Sequence, residues 1–248
     1  KAATIAATRK DCMAVVNVGS KDDTPEQIVT LKGNVSQYNS SFVACYAGWD
    51  KIFDQFSSKT LYVPKAAFAA AIFARNDNIA KVWNAPAGLT RGGMGTLDQY
   101  RVYTEAELGF MYNTNINTSR RIRGAGDILW GQKTGQTKAS ALDRINVRRL
   151  LNFIEKTIEP TLLGYIFEQN TGRLRSRVQS NLDSFLDTIV AGGGLSAYQV
   201  VVDESNNTPQ VIDNNELAID IFVQPTKTIE FINVQIIITK TGASFAVV

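Results

Sequence analysis

Two stretches of the chain repeat their apolar residues with the period of a helix. From Asp143, read as the cap, Ile145, Val147, Leu150, Leu151, Ile154 and Ile158 form one stripe, with Arg144, Arg148, Asn152, Glu155 and Lys156 off it. That pattern predicts a half-buried helix. From Thr171, the residues Leu174, Val178, Leu182, Phe185, Leu186 and Ile189 form a second stripe, which Gly192-Gly193-Gly194 stops. Its polar side begins with Arg173, Arg175 and Arg177. In the last third the period falls to two. Leu217, Ile219, Ile221 and Val223 alternate with polar residues, as do Ile232, Val234, Ile236 and Ile238, so each segment is a strand with one buried face. Beyond Gly242 the run Ala243-Ser244-Phe245-Ala246-Val247-Val248 is uncharged and strand-prone, the kind of tail that pairs with another chain's sheet edge.

The first half is built differently. Cys12 to Val18 reads as a strand, Thr24-Pro25-Glu26 opens a helix with threonine as cap and proline at the first helical position, and Ser41 to Tyr46 reads as a second strand. This is a βαβ unit, which favours parallel strands with helices on their faces. After Val63-Pro64 comes an alanine-rich helix, Lys65 to Ala74, while Asn84 to Gly95, with Pro86 and four glycines, is loop. No stretch reads as a linker and no repeat of fixed period is visible. The predicted fold class is α/β: a mixed β-sheet flanked by helices as an α/β sandwich, one compact domain over residues 1–248 with a strand-rich C-terminal part.

Composition narrows the function. With 248 residues, 44% hydrophobic and 20% charged, the chain can bury a substantial core, and disorder is excluded. There is no histidine, which removes the commonest general base and zinc ligand and makes the usual serine, cysteine and metal hydrolases poor readings. Cys12 and Cys45 sit in apolar runs as buried thiols, with a disulfide open to them only if their strands are neighbours. The longest apolar run, Val63 to Ala74, is interrupted by Lys65 and too short to span a bilayer, and the N-terminus lacks the pattern of a signal peptide. The chain begins at Lys1 rather than methionine, from which we expect a piece of a longer protein. Net charge is only +3, but residues 119–177 hold 12 basic and 5 acidic side chains while residues 178–248 hold 2 and 8. Such a split suits a polyanion site, or one copy's middle meeting another copy's end.

Searched for chemistry, the chain offers little. Gly124-Ala125-Gly126 starts like a dinucleotide fingerprint, but position 129 is Leu129 and the expected acid falls in the helix near Asp143. Gly131-Gln132-Lys133-Thr134 lacks the order of a phosphate loop and reads as a turn. Three acidic pairs stand out: Asp22 with Asp23, Glu105 with Glu107, and Asp203 with Glu204. All lie in turns or solvated helix ends, and no loop has the spacing of a calcium site. No cofactor, metal or catalytic residue is predicted. Arg120, Arg121, Arg123, Arg148 and Arg149 read mainly as solubility and ion pairs with acids such as Glu155 and Glu159. Aromatic residues are not interleaved with them, which argues against nucleic acid.

Taken in order, several blocks resemble the contractile tail sheath proteins of myophages and related injection machines. Lys10 to Val18 looks like that family's first sheet strand. Val63-Pro64, then Ala69-Ala70-Ala71-Ile72-Phe73-Ala74-Arg75-Asn76-Asp77, then Val82-Trp83-Asn84-Ala85-Pro86-Ala87-Gly88 resembles its proline-led small-residue helix and Trp-x-Ala-Pro-Ala loop. Asn115-Ile116-Asn117, Trp130 to Thr134, Ile145 to Leu150, Phe167 to Asn170 and the terminal strands follow in the family's order. Pro64-Lys65-Ala66 departs from the usual Pro-Ser-Gly start, and the N-terminal arm and outer domains of full-length relatives are not in this sequence.

The resemblance implies a non-enzymatic, structural protein of the phage virion, assembled in the host cytoplasm: the conserved inner domain of a sheath subunit, with residues 240–248 as a C-terminal arm. Subunits of the family polymerise around a tube and contract to drive it through the host envelope, neighbours being stitched together by exchanged strands. It implies as partners other sheath subunits, the tail tube protein, and baseplate and terminator proteins, with no nucleic acid and no membrane insertion. Mapped onto this chain, the inter-subunit strand candidates are Ile232, Val234, Ile236 and Ile238 with Phe245 and Val247, and the tube-contact candidates are Arg173, Arg175 and Arg177. Alone, these residues are expected to stay monomeric. The competing class is a carboxylate-dependent hydrolase acting on an envelope polymer, which a buried pair of acids at the bottom of a pocket would favour.

Overall fold

The computed structural model describes residues 1–231. The βαβ unit forms as the pattern predicts. β1 (Ala14–Asn17) and β2 (Val43–Tyr46) pair in parallel, Val16 opposite Cys45. They follow α1 (Ala2–Arg9), a short helix that the sequence does not signal, because its buried residues are only Ala3 and Ala6 and no apolar stripe marks it. Between the strands runs α2 (Pro25–Gly33), opened by a reciprocal capping box in which Gln27 N–H donates to Thr24 Oγ1 and Thr24 N–H donates to Gln27 Oε1 at 2.8 Å. The strands of the two cysteines are indeed neighbours, yet both thiols are free. Cys12 lies four residues along from the residue opposite Cys45, about 13 Å at ~3.3 Å per residue and beyond disulfide reach.

β3 (Trp49–Asp54) pairs antiparallel with β4 (Lys59–Pro64) and, on its other side, with β5 (Asp98–Gln99). Pro64 then launches α3 (Lys65–Ile79), five residues longer than the small-residue run alone indicates. α4 (Glu105–Asn113) precedes the hairpin β6 (Thr118–Ile122) and β7 (Gly126–Trp130). A parallel bridge between Tyr46 and Asn117 sets this hairpin beside β2, Asn117 N–H donating to the Cys45 carbonyl at 2.9 Å. Parallel and antiparallel pairings thus lie side by side, as a mixed α/β fold requires, but the described strands are distributed over four small sheets.

In the second half α5 (Ile145–Leu163) and α6 (Gly172–Ala191) pack through Leu150, Ile154 and Ile158 against Leu174, Val178, Leu182, Leu186 and Ile189. The hairpin of β8 (Leu195–Val201) and β9 (Asp220–Pro225) closes that core with Leu195, Val200, Ile221 and Val223, and α7 (Pro209–Asp213) lies on the connection. Three expectations change. The cap of α5 is Arg144 rather than Asp143, which ends a short 3-10 turn. Arg148 and Asn152, off the apolar stripe, are buried, because the side of α5 away from α6 meets the first half of the chain; Arg148 lies 4.3 Å from the centre of the Phe42 ring. The strand expected from Leu217 starts at Asp220 and keeps its predicted alternation, with Ile221 and Val223 inward and Phe222 outward.

The three glycines after α6 do more than stop a helix. Trp83, from the loop after α3, donates its indole N–H to the Gly192 carbonyl at 3.0 Å, and a Cβ at Gly194 would stand 2.9 Å from that indole and 2.7 Å from Ile189. Trp83, Phe153 and Phe185 form a run of rings 6.1 Å apart that joins the two halves.

Candidate interaction surfaces

Five of the six acids in the three pairs are bonded to other described residues. Asp23 accepts from Ser20 N–H, Asp22 from the Tyr100 hydroxyl, and Asp203 from Ser205. Glu107 completes a capping box with Thr104 and pairs with Arg101 at 2.8 Å; those bonds hold its carboxyl below the usual range. Glu105 pairs with Arg120 at the surface. Among the described residues no group of histidine, cysteine, aspartate or glutamate could hold a metal ion, and no helix is long and apolar enough to cross a membrane. Gly124 and Gly126, both at positive φ, form the β6–β7 turn.

The acids that are buried lie elsewhere. Asp50 on β3 and Lys65 at the start of α3 form an ion pair of 2.9 Å with essentially no solvent exposure. Lys65 also donates to Ser119 on β6. Gln99 on β5 donates to Ser119 at 3.1 Å and to Asp127 on β7 at 2.8 Å, and Arg121 grips Asp127 with two bonds of 2.9 Å. Gly48 makes room for this cluster: it sits at φ +103°, and a Cβ there would stand 2.7 Å from Lys65 Cε. Burial pushes the Asp50 carboxyl up and the Lys65 ammonium down, whereas Asp127 is held below its ordinary value by Arg121, Thr96 and Gln99 against its own burial. Each carboxylate is committed to a cation. Neither lines the groove walled by Ala85, Leu108 and Trp130; the acids that do, Glu105 and Glu230, are paired with Arg120 and Arg144. The sequence signal for this cluster is the lysine that interrupts the apolar run from Val63.

Most arginines are spent internally, though rarely on the acids expected. Arg149 pairs with Asp77 at 2.5 Å and covers the Phe73 ring, Arg148 reaches Glu155 at 3.4 Å, and Arg144 pairs with Asp143 at 2.9 Å. The tube-contact candidates do not form one patch. Residues two apart on a helix point about 200° apart, so Arg173 and Arg177 share the exposed face while Arg175 turns inward, 8% exposed and 3.4 Å from Asn170 Oδ1. Arg177 lies 5.9 Å from the centre of the Tyr165 ring.

At the other end of the described chain, β8 and β9 pair only with each other among the described residues. After β9 the segment from Thr226 to Phe231 crosses back over the first half. It forms one wall of a groove of about 350 Å³ whose other walls include Ala85, Ala87, Gly88, Leu108 and Trp130. Glu230 is held there by Tyr112, Gln132 and Arg144, three residues that sequence patterns did not connect. The strand candidates Ile232, Val234, Ile236, Ile238, Phe245 and Val247, and the arm 240–248, lie outside the described residues.

Residues 137–239, which span α5, α6 and the β8–β9 hairpin, match the family described as "Phage tail sheath C-terminal domain". The chain carries that domain. Similarity extends well beyond it: the tail sheath protein of Vibrio phage KVP40 is 35% identical over 226 residues, 91% of this chain and 33% of the relative. The tail sheath protein of Enterobacteria phage T4 is 34% identical over 221 residues, 87% of this chain and 34% of the relative. The chain therefore spans about one third of the length of the curated relatives it matches. In fold the chain resembles a PVC sheath complex from an extracellular contractile injection system in the contracted state (TM-score 0.78, 24% identity, 89% of this chain, 62% of that one). It also resembles a chain of the anti-feeding prophage baseplate (TM-score 0.76, 23% identity, 92% and 60%).

The blocks that carry the resemblance now have physical roles in the chain. In Arg75-Asn76-Asp77, Arg75 donates to the Arg91 carbonyl at 2.7 Å, Asn76 is buried, and Asp77 ties α3 to α5 through Arg149. Trp83 is the ring seated on the glycines after α6. Asn117 bridges β2 to the loop after β7, its side-chain amide donating to the carbonyls of Cys45 at 3.1 Å and Lys133 at 2.7 Å.

Proposed function

We propose that this chain is the conserved inner portion of a structural sheath subunit, one that polymerises around a tail tube and contracts to drive it through a host envelope. The observation that carries this reading is the similarity to tail sheath proteins, spread over nine tenths of the chain rather than confined to the matched domain. The geometry agrees: polar and charged residues are occupied in joining elements, and what remains open is surface and sheet edge. In this reading the particle is a phage tail, put together in the host cytoplasm, and its baseplate, tube and terminator proteins are the other partners. The work is a rearrangement of interfaces between copies and needs no catalytic group.

Two contacts follow. The edges of the β8–β9 hairpin that are unpaired among the described residues accept strands from other copies, and the apolar residues from Ile232 onward supply such a strand. Arg173 and Arg177, exposed on one face of α6, meet acidic residues of the tube in salt-sensitive pairs that release during contraction, while Arg175 stays inside the domain. Electron microscopy of the full-length protein at high concentration tests the class: sheath-like tubes are expected, and only dispersed particles would reject it. Reversing the charges of Arg173 and Arg177 should abolish co-assembly with the tube, and unchanged co-assembly would remove the assignment. The 248 residues alone stay monomeric by light scattering, because an open edge by itself closes no ring; long tubular particles from them would refute this.

A further inference from the structure

The chain leaves β9 pinned at alternate residues. Thr226 N–H donates to the Gly194 carbonyl at 3.1 Å, and Gln132 donates to the Thr228 hydroxyl. Glu230 then takes four hydrogen bonds on one carboxylate: from Arg144 Nε at 2.5 Å and Nη2 at 3.1 Å, from the Tyr112 hydroxyl at 2.8 Å, and from Gln132 Nε2 at 3.2 Å. The donors come from α4, from the loop after β7 and from the cap of α5, so three separate elements converge on this acid. Ile229 and Phe231 on either side of it are 83% and 76% exposed. A bidentate arginine bond fixes a carboxylate in direction as well as position, which a hydrophobic contact does not. Asp143 and Lys133 complete the surroundings, the first paired with Arg144 at 2.9 Å and the second 4.3 Å from the centre of the Tyr112 ring.

Exchange of a strand between copies needs more than an apolar sequence. A slip of one residue turns every side chain to the wrong face, so the point at which the exchanged segment leaves its own domain has to be set. We infer that Glu230 is the positioning residue for that segment. Its clamp by Arg144, Tyr112 and Gln132 fixes the position and direction of the chain up to Phe231, and so sets the register in which the exchanged strand meets a second copy. This rests on the strand exchange proposed above.

The test uses the full-length protein with Glu230→Ala, Tyr112→Phe and the charge swap Glu230→Arg with Arg144→Glu, read by sheath formation in electron microscopy and by hydrogen exchange over residues 226–231. Glu230→Ala should speed exchange in that segment and lower the yield of ordered sheath, each about tenfold, with the melting temperature of the domain within a few degrees of the parent. Tyr112→Phe should show a smaller loss, and the swap should recover ordered sheath. If the parent assembles and Glu230→Ala assembles equally well, or exchange does not change, the clamp has no positioning role and the proposal is overturned. An equal fall in melting temperature and yield would also overturn it, by making Glu230 an ordinary stabilising contact. If the parent forms no sheath, the functional reading fails and this proposal fails with it.

Discussion

The two halves of the chain are held together by opposite means. Around α5, α6 and the β8–β9 hairpin the core is a set of aliphatic stripes in which Leu182, Leu186 and Ile189 are almost fully enclosed. Around β3, β5, β6, β7 and the start of α3, the centre is a chain of charged and amide groups, from Lys65 and Asp50 through Ser119 and Gln99 to Asp127 and Arg121. Aliphatic packing tolerates small adjustments, because it is non-directional and scales with area. A buried ion pair contributes little net stability against the desolvation of its members, but removing one partner leaves a bare charge, so it selects one arrangement of its strands sharply. The short ladders around it have few backbone bonds of their own, and the charged cluster holds their mutual placement.

The sharpest way to break this contrast is at Asp50. Asp50→Ala strands the Lys65 ammonium and should cost about 3–5 kcal/mol in urea denaturation, whereas the double variant Asp50→Leu with Lys65→Met should lose far less or nothing. If the single and double variants lose the same, the cluster is ordinary packing. Next in size is the aliphatic half: Leu182→Ala should lower the unfolding free energy by about 3 kcal/mol, and here no second substitution that merely removes a partner should restore it. Gly194→Ala probes the joint between the halves, where a methyl would meet Trp83 and Ile189; a loss of about 2 kcal/mol with quenched or shifted Trp83 fluorescence is expected. The smallest effect is electrostatic and at the surface. The Glu107 carboxyl titrates below its ordinary value of 4.5 in the folded chain, so its contribution is present above that pH and is lost as the pH falls through the folded value. Glu107→Gln should therefore show a shallower loss of stability between neutral pH and pH 3 than the parent, and identical slopes would refute the assignment.

How much could be read beforehand differs between the halves for the same reason. The stripe from Leu174 to Ile189 and the Thr24-Pro25 opening of α2 are visible because the residues that make them stand within a few positions of each other. The triplet Arg173, Arg175 and Arg177 looked like one basic patch in sequence, but helix geometry turns Arg175 inward and splits it. Arg148 and Asn152 lie off the apolar stripe, yet the first half of the chain covers them. α1 left no signal, since two buried alanines make no stripe. Of the charged cluster only its outward sign was legible, a lysine inside an apolar run, and nothing marked Glu230 among the other acids of the last third.

The sequence by itself determined the class of fold, the βαβ opening, the two amphipathic helices, the alternation of the last described strand and, through its blocks of residues, the family. The tertiary structure alone decided which polar groups distant in sequence are partners. Lys65 meets a serine 54 positions away, and Arg144 meets a glutamate 86 positions away. Periodicity records how a segment meets water or core. It cannot record which distant segment supplies the opposite charge, because that depends on how the helices and ladders pack.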